Sequence, residues 1–332
     1  MTTRTLGKNG PRTSALGLGC MGMSDFYGPA DEKTSIATIN AALDAGITLL
    51  DSGDYYGMGH NELLLNKALK GRRRDSYQLS VKFGALRDAK GNWSGVDGRP
   101  VAVRNFIAYS LTRLGTDYID IYRLGRVDPA VPIEETVGAV GQLIKEGQVR
   151  YVGLSEAGAD TVGRASRTHP IADLQIEYSL MSRGIEDTIL PTCRELGVGI
   201  TAYGVLSRGL LSGHWTKEQA VSPGDFRVHL PRFSGANLDH NLALVETLRL
   251  IADGRGATVA QVAIAWMLSR GEDIVPLVGA RTPERLSEAL GAVTLALSPS
   301  DLARIESAIP QGAAAGDRYP TAVMTHLDSE RT

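Results

Sequence analysis

Apolar positions along the chain gather into short runs at fairly even spacing: ALGLG (15–19), ITLLD (47–51), YQLSVKF (77–83), YIDIY (118–122), RYVGLS (150–155), ADLQIE (172–177), GVGITAY (197–203) and DIVPLVG (273–279). They are too short and too uniformly apolar for surface helices, and predict strands buried on both faces. Segments with helical patterning separate them: 31–46, 60–71, 101–114, 131–147, 158–168, 185–196, 238–253, 258–269, 282–291 and 299–308. Their punctuation agrees. Asp31 precedes the first and Gly46 ends it. Pro132 opens the fourth, with Glu134 and Glu135 in its first turn and Lys145 before Gly147 at its end, the charge order that a helix dipole favours. Strands alternating with helices, without a clear linker, predict a (β/α)8 TIM barrel over residues 1–311. Pairing of ALGLG with RTLG in a hairpin would remove one strand from that count. Residues 210–237 form a long polar connection after the seventh strand, expected on the active-site face as a lid or substrate wall. The tail, 312–332, is expected to lie extended on the surface or disordered.

Composition narrows the function more than the fold. The net charge is -2, with 22% charged residues, so nothing favours a nucleic-acid partner. The two cysteines, Cys20 and Cys193, match no metal spacing. The N-terminus MTTRTLGKNG has no apolar signal core, and no run reaches the roughly 18 apolar residues of a membrane span; the expectation is a cytoplasmic protein with no membrane partner. GLGCMG (17–22) has the spacing of a dinucleotide-binding loop, but the loop SDFYGPADE follows it where a helix should open. A tight turn at the barrel mouth is the better reading.

The stretch LLDSGDYYGMGHNE (49–62) puts acids and tyrosines at the end of an apolar strand. Asp51 ends that strand, Lys82 lies near the end of the next, and Tyr56 occupies the loop between. Adjacent strand ends of a barrel converge on one mouth. Asp51 alone could be a turn acid, and Lys82 alone half of a structural ion pair. Together with Tyr56 they suit proton transfer. Asp51 would orient the Lys82 ammonium, the ammonium would lower the phenol's pKa, and Tyr56 would protonate a developing alkoxide.

At these residues the sequence resembles the aldo-keto reductase superfamily over nearly the whole chain. TRTLGKNGPRTSALGLGCMGMS is similar to the family's N-terminal β-hairpin and first strand. LLDSGDYYGMGHNE resembles its Asp-to-Tyr signature. GQVRYVGLSE, DLQIEYSL, TAYGVLSRGLLSG and VPLVGARTPERLSEAL resemble its cofactor blocks. The resemblance implies a barrel oxidoreductase that binds NADP(H) and reduces an aldehyde or ketone. Asp51, Tyr56 and Lys82 fall on three members of the family's catalytic tetrad. It implies Ser155 and Gln175 on the nicotinamide carboxamide, Tyr203 stacked on the ring, and Gly204, Leu206, Arg208 and Gly209 along the pyrophosphate. Gly279 opens the block in which Arg281 and Arg285, at a helix start, suit the 2'-phosphate of NADP. As bland alternatives, Gln175 could be a hydrogen-bonding residue of the barrel interior, Tyr203 core, and the two arginines a solvated helix face.

The fourth tetrad member, a histidine, is expected where this chain reads IYRLGRVD, and Gly125 stands there, as in a subgroup resembling pyridoxal reductases and related bacterial enzymes. Strand alternation puts Arg123 on the same inward face as Gly125 and turns Arg126 away unless the strand has ended. Arg123 either rises to the vacated place to meet an anionic substrate group or pairs with Asp51 or another acid. Trp93, Phe26, Tyr27, Tyr178 and the 210–237 loop are candidates for the substrate wall. Two other readings remain: a Schiff-base lysine at Lys82, and an NADPH-binding regulatory or channel-associated subunit with little turnover. The carbonyl substrate, the direction of reaction and the oligomeric state are open at this stage.

Overall fold

The computed structural model describes residues 1–217 and 224–331. A hairpin of β1 (Thr3–Thr5) and β2 (Arg12–Ser14) leads into the barrel. The barrel strands follow as β3 (Gly17–Gly19), β4 (Leu49–Gly53) and β5 (Gln78–Phe83). A second antiparallel hairpin interrupts them, β6 (Ala85–Arg87) with β7 (Trp93–Val96). Then come β8 (Ile119–Leu124), β9 (Val149–Ser155), β10 (Ile171–Glu177), β11 (Gly199–Tyr203) and β12 (Ile274–Gly279). All eight barrel strands pair in parallel, and β12 returns to β3 to close the ring. ALGLG is therefore a barrel strand, and RTLG pairs with β2 instead.

Helices clothe the barrel: α1 (Glu32–Asp44), α2 (His60–Leu69), α3 (Pro100–Leu114), α4 (Ile133–Lys145), α5 (Ala159–Thr168), α6 (Ile189–Leu196), α7 (Gly235–Gly254), α8 (Val259–Ser269), α9 (Pro283–Leu290) and α10 (Pro299–Ala308). Local chemistry sets their starts. The Asp31 carboxylate accepts from Thr34 N at 2.7 Å, and Thr258 with Gln261 forms a reciprocal capping box on α8. α8 is apolar almost all round, and its Trp266 is fully buried between barrel and outer helices.

The bottom of the barrel is stoppered by the first hairpin. Leu6, fully buried, packs with Leu49, Ile121, Val275 and Leu277 inside the ring. The ring is so tight there that a Cβ on Gly17 would stand 2.6 Å from a Leu277 methyl, which accounts for glycine in the shortest barrel strand.

The tail differs from the sequence expectation. It forms a short helix, α11 (Thr321–Met324), and buries Arg318 and Leu327. The 210–237 connection folds back over the mouth through short 3-10 turns, and Tyr27 forms a β-bridge with Asp225. Its residues 218–223 lie outside the described residues. No described helix is long and apolar enough to cross a membrane.

Candidate active site

Parallel strands all deliver their C-terminal ends to one mouth. β4 and β5 pair in a register that sets Ser80 opposite Asp51 and Lys82 opposite Gly53. Asp51, almost fully buried, accepts four side-chain hydrogen bonds. Lys82 Nζ donates to Oδ1 at 2.5 Å; Ser80 Oγ, Gln175 Nε2 and Arg123 Nη1 donate to Oδ2 at 2.7, 2.7 and 2.9 Å. Burial works against its charge, but the Lys82 and Arg123 cations outweigh it and hold the carboxyl below its ordinary range. Burial likewise pulls the Lys82 ammonium down, with Asp51 opposing.

Tyr56 reaches this pair through an unusual turn. Gly57, Met58 and Gly59 all have positive φ, at 57°, 54° and 93°, a run that glycine makes feasible and that strains Met58. The turn brings the Tyr56 ring to 5.0 Å from Lys82 Nζ. The sequence reading expects the ammonium to lower the phenol's pKa. The structure reverses the sign: burial first, then Tyr55 and Asp51, push it well above the usual value. Burial thus favours the neutral phenol of Tyr56, in a mouth walled by Phe26. The Phe26 ring stands edge-on to Tyr56 at 6.1 Å and to Phe226 at 5.5 Å.

Arg123 does not rise to the mouth. It is fully buried a layer below, bonded to Asp51, to Ser80 and, at 2.5 Å, to Asp173. A guanidinium in the barrel interior finds its two carboxylates there, and the substrate role for Arg123 is withdrawn. Arg126 meets the exception stated for it. β8 stops at Leu124, so alternation no longer governs it, and its guanidinium turns to the mouth and donates to Tyr319 Oη at 3.4 Å. The place beside Gly125 is taken by Tyr55, whose ring and Oη stand 3.3 Å from where a Cβ would be. Tyr178 is no substrate wall: it is buried against Trp266 and bonded to Glu186 at 2.6 Å. Trp93 does face the site, with its ring 6.0 Å from that of Tyr55.

The candidate cofactor residues occupy the other arc of the mouth, at the ends of β9 to β12. Ser155 Oγ is buried without a hydrogen-bond partner among the described residues, an orphan that an amide ligand would satisfy. Gln175 sits beside it but donates to Asp51, the interior role that its bland alternative describes. Tyr203 Oη donates to Glu156 at 2.8 Å and meets Tyr319 Oη at 3.1 Å. Gly204, Leu206, Arg208 and Gly209 form a turn in which Gly204, Arg208 and Gly209 have positive φ. Arg208 is nine-tenths buried, paired with Glu177 at 2.8 Å and stacked on Tyr319. Beyond Gly279, Arg281 donates to the backbone carbonyls of Tyr27 and Pro29. Arg285 is half exposed and pairs with Glu288 at 3.1 Å. Both stand at the start of α9, capped by Thr282.

The sequence reading passes over the tail's part in the mouth. Arg318 grips Glu156 with both Nη atoms, at 3.0 and 2.5 Å, and reaches Glu330 at 2.7 Å. That places Tyr319 between Arg126 and Arg208. The available signal is GDRYP (316–320), an arginine and an aromatic in an otherwise small and polar segment. A cavity of about 770 Å³ lies at the far end of the barrel between Arg4, Lys8, Arg194 and Asp273, remote from these groups.

The family model described as "Aldo/keto reductase family" matches residues 15–310. The chain is 44% identical over 315 residues to Probable aldo-keto reductase 1 of Glycine max, covering 95% of this chain and 90% of that one. Among solved structures it is similar to the glycerol dehydrogenase AKR11B4 from Gluconobacter oxydans, with a TM-score of 0.84, 27% identity and coverage of 93% and 95%. It is also similar to the thermostable aldo-keto reductase Tm1743, solved with the inhibitor epalrestat, with a TM-score of 0.74, 28% identity and coverage of 93% and 100%. A closed parallel barrel carrying Asp51, Tyr56 and Lys82 at one mouth, matched over nearly its full length, makes this chain a member of the aldo/keto reductase family of oxidoreductases.

Proposed function

We propose that the protein is an NADPH-dependent carbonyl reductase in which Tyr56 protonates the oxygen of an aldehyde or ketone. The observation that carries this reading is the separation of charge from proton at the mouth. Asp51 and Lys82 form a buried ion pair at 2.5 Å, the Tyr56 ring stands 5.0 Å from that ammonium, and burial favours the neutral phenol. The ammonium stabilises negative charge developing on the carbonyl oxygen, and the phenol supplies the proton. Bound NADPH would supply the hydride. Ser155 Oγ would hold its carboxamide, Tyr203 its ring, Arg208 with Gly204, Leu206 and Gly209 its pyrophosphate, and Arg281 and Arg285 at the α9 N-terminus its 2'-phosphate. The orphaned Ser155 hydroxyl supports that fit.

The commitment of Lys82 to Asp51 argues against a Schiff-base role, which needs a free neutral amine. Gly125, in the place of the family's histidine, fits the subgroup resembling pyridoxal reductases, and Tyr55 then supplies the packing beside the substrate. Incubating the purified protein with NADPH and a panel of aldehydes and ketones, and following loss of NADPH absorbance, tests the reading. Carbonyl-dependent loss is expected. A panel without turnover, alongside tight NADPH binding, would favour the regulatory-subunit alternative.

A further inference from the structure

One cation at the mouth stands apart from the others in having no carboxylate in contact. One layer down, Lys82 and Arg123 face Asp51 and Asp173, two cations for two carboxylates. At the rim, Arg318 is held by Glu156 and Glu330, and Arg208 by Glu177. Arg126 has no such partner. No carboxylate oxygen among the described residues lies within 4.0 Å of its guanidinium. Its hydrogen bonds go to the Gly125 carbonyl at 2.7 Å and to Tyr319 Oη at 3.4 Å. Tyr319 is a replaceable partner, since its hydroxyl also meets Tyr203 Oη at 3.1 Å.

The surroundings indicate what would complete it. Arg126 follows β8, on the arc that carries Tyr55, Tyr56 and Lys82, and not on the arc of Arg208 and α9. The Glu156 charge favours this partly buried guanidinium from a distance, but no carboxylate occupies its fork, which leaves room for an anion in contact. Its planar fork matches a carboxylate or a phosphate in a way that a neutral group does not. An anion there would be separated from Arg208 by the Tyr319 ring and would lie on the side of Tyr56, whose phenol feels the Arg126 charge.

We propose that Arg126 receives an oxyanion on the substrate, so that the protein takes carbonyl compounds carrying a carboxylate or a phosphate close to the reducible carbon. This deepens the carbonyl-reductase reading and rests on it. Tyr55, filling the space beside Gly125, sets the wall against which such a substrate lies.

Two matched pairs test it: succinic semialdehyde against butanal, and glyceraldehyde 3-phosphate against glyceraldehyde. The wild type should favour the charged member of at least one pair by about ten-fold or more in kcat/KM, the worth of one hydrogen-bonded charge. The pair that responds tells carboxylate from phosphate. In Arg126→Gln that preference should fall by about ten-fold or more, and in Arg126→Lys, which keeps the charge but loses the fork, by less. Calorimetric titration with succinate and with inorganic phosphate gives a readout independent of turnover, and the matching anion should bind wild type more tightly than either variant. If Arg126→Gln does not fold, the comparison of wild type with Arg126→Lys carries both measurements. Equal use of charged and neutral members by the wild type overturns the inference, as does a preference that the variants leave intact. Reduction of none of the four carbonyls, with anion binding that still depends on Arg126, would overturn the reductase reading and leave the anion site standing.

Discussion

Asp51 accepts from four side chains at once, and that crowding divides the labour of the site. The carboxylate is fully committed to Lys82, Ser80, Arg123 and Gln175. It therefore orients a cation and has little capacity left to act as a base. On the reading proposed above the proton comes from a neighbour whose neutral form burial favours, Tyr56. Tyr56→Phe should leave NADPH affinity nearly unchanged and lower kcat by about 10²-fold or more; near-normal turnover would move the role to another group, Tyr55 first. Arg123 makes a contrasting case. Arg123 has no solvent exposure and two carboxylates on it, and Arg123→Met leaves buried Asp173 without a counter-ion while Asp51 keeps Lys82. Denaturant titration should show a loss of about 3–5 kcal/mol, with the KM of the surviving folded enzyme little changed. A raised KM at normal stability would return Arg123 to the substrate.

At the scale of elements, the first hairpin, α9 and the tail each carry a distinct load. Leu6 stoppers the barrel among four apolar partners, so Leu6→Ala should cost about 2–5 kcal/mol through the cavity left behind, read as a lowered denaturation midpoint at unchanged slope. α9 offers its free N–H groups together with Arg281 and Arg285. Arg281→Ala should weaken NADPH more than NADH in a fluorescence titration, because the loss falls on the phosphate that only NADPH carries. The tail is tied down through Glu156. Burial opposes that residue's charge, but Arg318 overrides it and holds the carboxyl far below the glutamate range. A carboxyl with a depressed folded-state pKa adds stability above its unfolded value and loses it as pH falls. Tail docking, followed by protease resistance after residue 312, should therefore weaken as pH is lowered from about 5 towards 3. Glu156→Gln should flatten that dependence.

At the scale of the whole molecule, the alternation of apolar runs and helical patterns was sufficient to read the barrel, because strands buried on both faces leave an unmistakable composition. Asp51, Tyr56 and Lys82 were legible as a set: Asp51 and Lys82 each have a structural reading alone, but adjacent strand ends of a barrel converge on one mouth. The β6–β7 hairpin was not legible. Its strands are three and four residues long, with Trp93 exposed, so no alternation develops. Arg123 faces inward as the period of two requires, but the choice between its two expected roles depends on Asp173, which lies on another strand, and the direction of Arg126 depends on where β8 ends, which composition does not mark. The Arg318–Glu156 clasp joins residues 162 positions apart, a distance over which local pattern carries no information. The separation of charge from proton at the mouth is the account's central claim, and the pH dependence of kcat for carbonyl reduction, wild type against Tyr56→Phe, tests it most directly. The account predicts a wild-type rate that shows no loss of an essential acid through the neutral range, since the phenol holds its proton well past its ordinary value of 10.0, and a variant depressed about 10²-fold at every pH. A wild-type rate that falls with an ionisation near neutrality, or a variant as fast as the parent, would contradict it.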